Sequence, residues 1–207
     1  MTTKERLKQI SPLVRVVRYS REKRLAARHS LQDARFLAGR TRRSKRVEAY
    51  LSRHTSPKLQ LGTGSNVYDG WLNTDVVDYK RGNEVLYLDV RKRFPLPDNS
   101  FDAVFSEHVI EHVTYRDGLH CLRECRRVLK PGGRLLFVEH GLAPEPAVIR
   151  WQHRLTPCWR RIGGGCHLDR KMDDLIRNAG FRVDALETGY MKGPKPWTFM
   201  YVGSATS

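Results

Sequence analysis

The 207-residue chain predicts an α/β fold, a doubly wound domain around a mostly parallel sheet. Three observations carry this. Short apolar strands alternate with helical segments from residue 57 onward, a glycine-rich turn follows the first strand, and aspartates end the next two. Strands are expected at 59–61, 72–76, 85–89, 103–106 and 135–139. A helix is expected over 115–129, where Leu119, Leu122, Cys125, Val128 and Leu129 share one face and Lys130-Pro131-Gly132-Gly133 stops it. Asp169 is placed to cap a further helix that ends at Gly180, with strands near 183–186 and 198–202. The domain boundary falls at Ser56-Pro57, since proline disfavours helix in the residue before it.

Residues 1–56 read as a basic helical arm of two or three helices, interrupted at Pro12 and Gly39. The net charge of +16 is concentrated there: residues 1–57 hold 16 Lys/Arg against 4 Asp/Glu. The rest of the chain is nearly balanced, so the arm is the part suited to an anionic surface or nucleic acid. No run approaches the length of a transmembrane segment and no secretory leader is evident, which predicts a cytoplasmic protein. Cys121, Cys125, Cys158 and Cys166 lack zinc-type spacing and are expected as free thiols.

Leu59-Gln60-Leu61-Gly62-Thr63-Gly64 is an apolar strand running into a turn where absent side chains let a ligand lie against the backbone. A dinucleotide fingerprint would need glycine at position 67, which is Val67. Asp75, at the end of the second strand, could accept both hydroxyls of a ribose, and Asp89, at the end of the third, an exocyclic amine.

Farther on, Phe94-Pro95-Leu96-Pro97-Asp98 leads into Phe101-Asp102-Ala103-Val104-Phe105-Ser106-Glu107-His108, and Arg127-Val128-Leu129 into Lys130-Pro131-Gly132-Gly133. In this order the motifs resemble the class I methyltransferases, in particular the type 11 family to which the ubiquinone and menaquinone methyltransferases are related. The resemblance covers roughly residues 57 to 140. It implies a Rossmann-like seven-stranded sheet and S-adenosylmethionine as cofactor. Gly62 and Gly64 would approach its methionine part, Asp75 the ribose and Asp89 the adenine, with Ser106 and Glu107 lining the methyl-donor side. Only a short connection separates Gly64 from Asp75, so the usual helix there must be very short. The region from Val138-Glu139-His140 to Gly165-Cys166-His167 resembles animal microsomal thiol methyltransferases, which carry a hydrophobic anchor where this chain has its basic arm.

The implied reaction is methyl transfer to a small-molecule acceptor, a thiol or a hydroxyl. A hydroxyl would benefit from a base near neutral pKa, and His108 and His140, ending the fourth and fifth strands, are the candidate catalytic residues. An RNA methyltransferase that grips phosphates with the arm, and a non-catalytic cofactor-binding protein, are the competing readings. His108-Val109-Ile110-Glu111-His112 also matches an inverted zinc-protease pattern. The flanking strand and Lys-Pro-Gly-Gly turn place it in the methyltransferase frame, so no metal is expected.

Overall fold

The computed structural model describes residues 40–77 and 85–207. The expectations for residues 1–39, which include most of the arm's charge, lie outside the described residues. The compact unit that carries the sheet runs from Arg43 to Ser207, so it takes in residues ahead of Ser56-Pro57. These belong to helix α1 (Arg40–Arg53), which buries Val47 and packs Tyr50 and Leu51 on the core. The Tyr50 hydroxyl accepts the Lys58 N–H at 3.0 Å, tying the helix to the start of the sheet.

Seven strands form one sheet: β1 (Lys58–Leu61), β2 (Leu72–Asp75), β3 (Val85–Tyr87), β4 (Phe101–Glu107), β5 (Leu129–His140), β6 (Arg182–Tyr190) and β7 (Phe199–Thr206). Their order is β3-β2-β1-β4-β5-β7-β6. All pairings are parallel except those of β7 with β5 and β6. Strands β1 and β2 are buried almost throughout because helices and loops cover both faces, the usual condition of a parallel sheet. Strand order reverses between β1 and β4, and the carboxyl ends on either side of that point are where such folds bind ligands.

Helix α2 (Tyr115–Val128) follows its predicted face, burying Gly118, Cys121, Leu122, Cys125 and Val128. Thr114 caps it, accepting the Asp117 N–H at 3.1 Å. The helix stops where expected, but β5 begins at once with Leu129. Residues 130–133 bulge out of the ladder, since Phe101 pairs with Leu129 and Ala103 already with Arg134.

One part differs from expectation. Asp169 caps no helix: helix α4 (Met172–Asn178) starts later, with Lys171 at its N-cap, and the Asp169 carboxylate lies 3.7 Å from His153. Helix α3 (Pro146–Ile162) is long and continuous although Pro157 interrupts its pattern. Its inner face, with Val148, Gln152 and Thr156 buried, outweighs the bond that proline removes. A short helix α5 (Lys195–Thr198) precedes β7.

Candidate active site

The turn after β1 is built on backbone that side chains rarely adopt. Gly62 has φ 61 and Gly64 φ 51, and a Cβ on Gly62 would come 2.4 Å from a methyl of Val109. The Asp75 carboxylate braces this turn, accepting the N–H of Gly64 at 2.9 Å and of Val77 at 2.8 Å. Asp89 lies two residues past β3 and holds Arg91 through both oxygens, at 2.9 and 2.8 Å. Burial pushes the Asp89 carboxyl up, but the Arg91 guanidinium overrides it and holds the group below its ordinary range. At the same turn the buried oxygens Gln60 Oε1 and Thr63 Oγ1 have no hydrogen-bond partner among the described residues. Unpaired buried acceptors are costly, and a ligand against the turn would satisfy them.

Across the switch point, β4 and β5 deliver the second half of the site. The β5 residue Glu139 is fully buried and anchors the loop after β4. It accepts the Ser106 hydroxyl at 2.6 Å and the N–H groups of Val109 at 3.1, Ile110 at 3.0 and Glu111 at 3.3 Å. Burial, with the nearby Glu111 charge, raises the Glu139 carboxyl to about 7. Ser106 is thus bonded inward to Glu139, whereas the carboxylate of the half-buried Glu107 has no hydrogen bond or ion pair among the described residues.

The anchored loop places a histidine cluster around Glu111. His108 sits in the left-handed region at φ 52, which turns its ring back so that Nδ1 lies 3.4 Å from Glu111 Oε1. His112 approaches the same oxygen at 3.3 Å from the other side and bonds Gly164 O at 3.1 Å. The His140 N–H donates to Glu111, and the His140 ring stands 5.0 Å from that of His108. Burial disfavours the Glu111 charge, yet the hydrogen bonds from His108 and His112 hold the carboxylate well below the usual range. Its hydrogen bonds raise His108 and His112, whereas burial lowers His140. The cluster is thus split into imidazoles held toward the cation and one held toward the neutral base.

His108 and His140, the pair expected from the sequence, are brought together on one cavity of about 280 Å³. Glu111, His112, Trp159, Gly163, Cys166, Leu168 and Trp197 complete its lining. Two polar atoms there, His140 Nδ1 and Trp197 Nε1, are buried with no partner among the described residues. Cys166 is a free thiol raised far above its ordinary value, by burial first and then by the Glu111 charge, so it is inert rather than nucleophilic. Sequence reasoning missed Glu111 and Glu139 as organisers. The available signal was an acid on the apolar strand β5, directly before His140. The tryptophans gave none, because Trp159 and Trp197 are far apart in the chain and meet, at 5.7 Å between rings, only through tertiary packing.

His108, Glu111 and His140 also bring three ligand atoms within 4.8 Å of one another, so the metal-type set differs from the sequence pattern, with His140 in place of His112. The hydrogen bonds within the cluster already account for this approach.

A glycine turn at a topological switch point, strand-end aspartates and a cavity over β4 and β5 define a Rossmann-like α/β domain with a candidate ligand site at its carboxyl edge. Residues 59–137 match the family model described as a methyltransferase domain. It is 38% identical over 109 residues to thiol S-methyltransferase TMT1B of Rattus norvegicus, a match spanning 52% of this chain and 42% of the relative. It is 27% identical over 156 residues to 27-O-demethylrifamycin SV methyltransferase of Amycolatopsis mediterranei, spanning 69% and 56%. The matches therefore span about half the length of these relatives. Among solved structures, a methyltransferase of Methanosarcina mazei superposes with TM-score 0.56 at 15% identity, covering 73% of this chain and 92% of that one. A putative methyltransferase of Bacillus halodurans gives 0.52 at 15%, covering 77% and 95%. At such identities the likeness concerns the fold.

Proposed function

We propose that this protein transfers a methyl group from S-adenosylmethionine to a small acceptor held in the cavity over β4 and β5, with a thiol as the favoured acceptor. The observation that carries the reading is the pair of unpartnered buried atoms, His140 Nδ1 and Trp197 Nε1, on residues that line a cavity of about 280 Å³. That space suits a small molecule, with apolar walls for its body and two polar groups to orient it. The thiol preference is supported by the 38% identity to the rat thiol methyltransferase.

The residues present fit the cofactor. Gly62 and Gly64 leave room for close approach, Gln60 and Thr63 offer unpartnered oxygens, and Asp75 stiffens the turn. Asp89, already engaged with Arg91, would take the adenine through a shared interaction or from Arg91's side. Glu107, whose carboxylate has no partner among the described residues, would line the donor side. The sulfonium supplies an electrophilic methyl, and transfer in line to the acceptor leaves a neutral sulfide. The protein's share is alignment and exclusion of water.

In this scheme His140, held neutral by burial, accepts the proton of the acceptor, while His108, held toward the cation by Glu111, donates a hydrogen bond to it. A thiol ionises near neutral pH and needs little such help; a hydroxyl needs more. The O-methylating Amycolatopsis relative keeps the hydroxyl reading in view. Among the described residues no helix is long and apolar enough to cross a membrane, and four free thiols favour a cytoplasmic setting.

The test is calorimetric titration with S-adenosylmethionine, followed by release of the demethylated cofactor in the presence of matched thiol and alcohol acceptors. Binding and faster turnover of the thiols are expected. Absence of cofactor binding would refute the assignment, and turnover of alcohols alone would refute the thiol preference.

A further inference from the structure

Helix α3 closes the cavity with one face and leaves another uncovered. Gln152 and Thr156 are buried, and Trp159 lines the cavity. Trp151, Cys158 and Ile162, exposed, and the half-buried Leu155 between them recur at spacings of four, three and four residues, which on a helix is one narrow stripe. Trp151 is 55% exposed and Ile162 78%, and Cys158 is exposed as well. Scattered apolar residues on a surface need no explanation, but a row along three turns of one helix does.

The charge beside that row has one sign. Arg150, Arg154 and Arg161 run along the helix next to the stripe, Arg160 stands on another face, and the helix contains no Asp or Glu. None of the four guanidinium groups has a hydrogen bond or ion pair among the described residues. The segment packed on α3 continues this character: Pro196 O accepts from Gln152 at 3.2 Å, Trp197 meets Trp159, and the nearby Met191 is 49% exposed beside Lys192.

We propose that α3 lies in the interfacial plane of an anionic lipid surface. The stripe from Trp151 to Ile162 enters the boundary between headgroups and acyl chains, and Arg150, Arg154 and Arg161 lie among the phosphates. An exposed tryptophan with aliphatic neighbours beside an arginine row is the composition such helices use. A second copy of this chain is a poorer occupant, because a symmetric contact would set arginine against arginine. A nucleic acid would use the arginines and leave the stripe in water. The consequence, which rests on the reading of the cavity as the acceptor site, is that lipophilic acceptors reach the protein from the surface where they collect.

The four cysteines supply a direct test, since Cys158 alone is exposed and lies on the stripe. The full chain carrying an environment-sensitive fluorophore on Cys158 is mixed with vesicles of phosphatidylcholine, with and without phosphatidylglycerol. With phosphatidylglycerol the emission should shift to the blue and become accessible to quenchers placed in the acyl region. Both effects should weaken in high salt. The unlabelled chain should sediment with the same vesicles, and joint Arg150→Glu, Arg154→Glu and Arg161→Glu substitution should weaken this by at least roughly a hundredfold, from the lost attraction of each basic residue to an anionic surface. Cofactor affinity should stay unchanged. A fluorophore that stays in water while the protein sediments would overturn the proposal by placing the contact elsewhere in the chain. So would a blue shift produced by raising protein concentration alone, or by a short RNA. Vesicle binding is read without turnover, so failure of the methyl-transfer reading would leave this result standing, and the reverse.

Discussion

Glu111→Gln removes the charge at the centre of the histidine cluster while keeping its shape. In the wild type that carboxylate accepts the His140 N–H and faces His108 at 3.4 Å and His112 at 3.3 Å. The amide retains an acceptor for His140 but cannot hold two imidazoles toward the cation. Hydrogen bonds to a buried charge are worth about 1.5 to 3 kcal/mol net. The two rings are 38% and 34% exposed, so solvent screens their share. The expected loss is about 2 kcal/mol, or roughly 4 to 8 °C in Tm for a domain of this size. The pH dependence is more specific. Glu111 is depressed below its ordinary 4.5, so its stabilisation is present above that value and lost as pH falls through the lower folded value. His108 and His112 are raised above 6.5, so theirs is present below 6.5 and lost as pH rises through the higher folded values. The difference in stability between wild type and Glu111→Gln should therefore be greatest between 4.5 and 6.5 and shrink on either side. Urea unfolding across pH, with NMR titration of the histidine ring protons, measures both. A difference that is flat with pH, or His108 and His112 titrating unchanged in the variant, would refute the proposed coupling.

His140→Ala should lower the rate with a hydroxyl acceptor by roughly 10²- to 10⁴-fold, and with a thiol by less, while calorimetry gives an unchanged cofactor affinity; wild-type rates on both acceptors would make the residue structural. Since burial lowers His140, the basic form should already be available below pH 6.5, and the acid limb of the rate profile should lie under that value; a limb above it would point to another base. Asp75→Ala should weaken cofactor binding by roughly 1 to 3 kcal/mol, because the Gly64 turn loses its brace, and unchanged affinity in a folded variant would remove Asp75 from the site. Gly62→Ala should destabilise the fold and weaken the cofactor together, since a methyl there meets Val109 on backbone at φ 61; thermal unfolding with and without cofactor would show whether either effect is missing.

The sequence by itself determined the architecture and where the candidate strand-end residues fall. Local rules govern these: an apolar run leading into Gly62 and Gly64 must turn, one apolar face over 115–129 makes a helix, and Lys130-Pro131-Gly132-Gly133 must end it. The period of the strands then leaves a parallel sheet as the arrangement that buries them. His108 and His140 were legible for the same reason, as residues that emerge at the ends of neighbouring strands. Tertiary structure decided how those residues are used. Asp89 spends both oxygens on Arg91, Ser106 turns inward to Glu139, and Asp169 faces His153 rather than a helix end. Each of these choices depends on which donor lies within about 3 Å after the chain has folded, a quantity that spacing along the sequence does not encode. Helix α3 shows the same division. Pro157 argues locally against it, and only the burial of its inner face, with Val148, Gln152 and Thr156, makes the helix, with its uncovered outer stripe, the favourable arrangement.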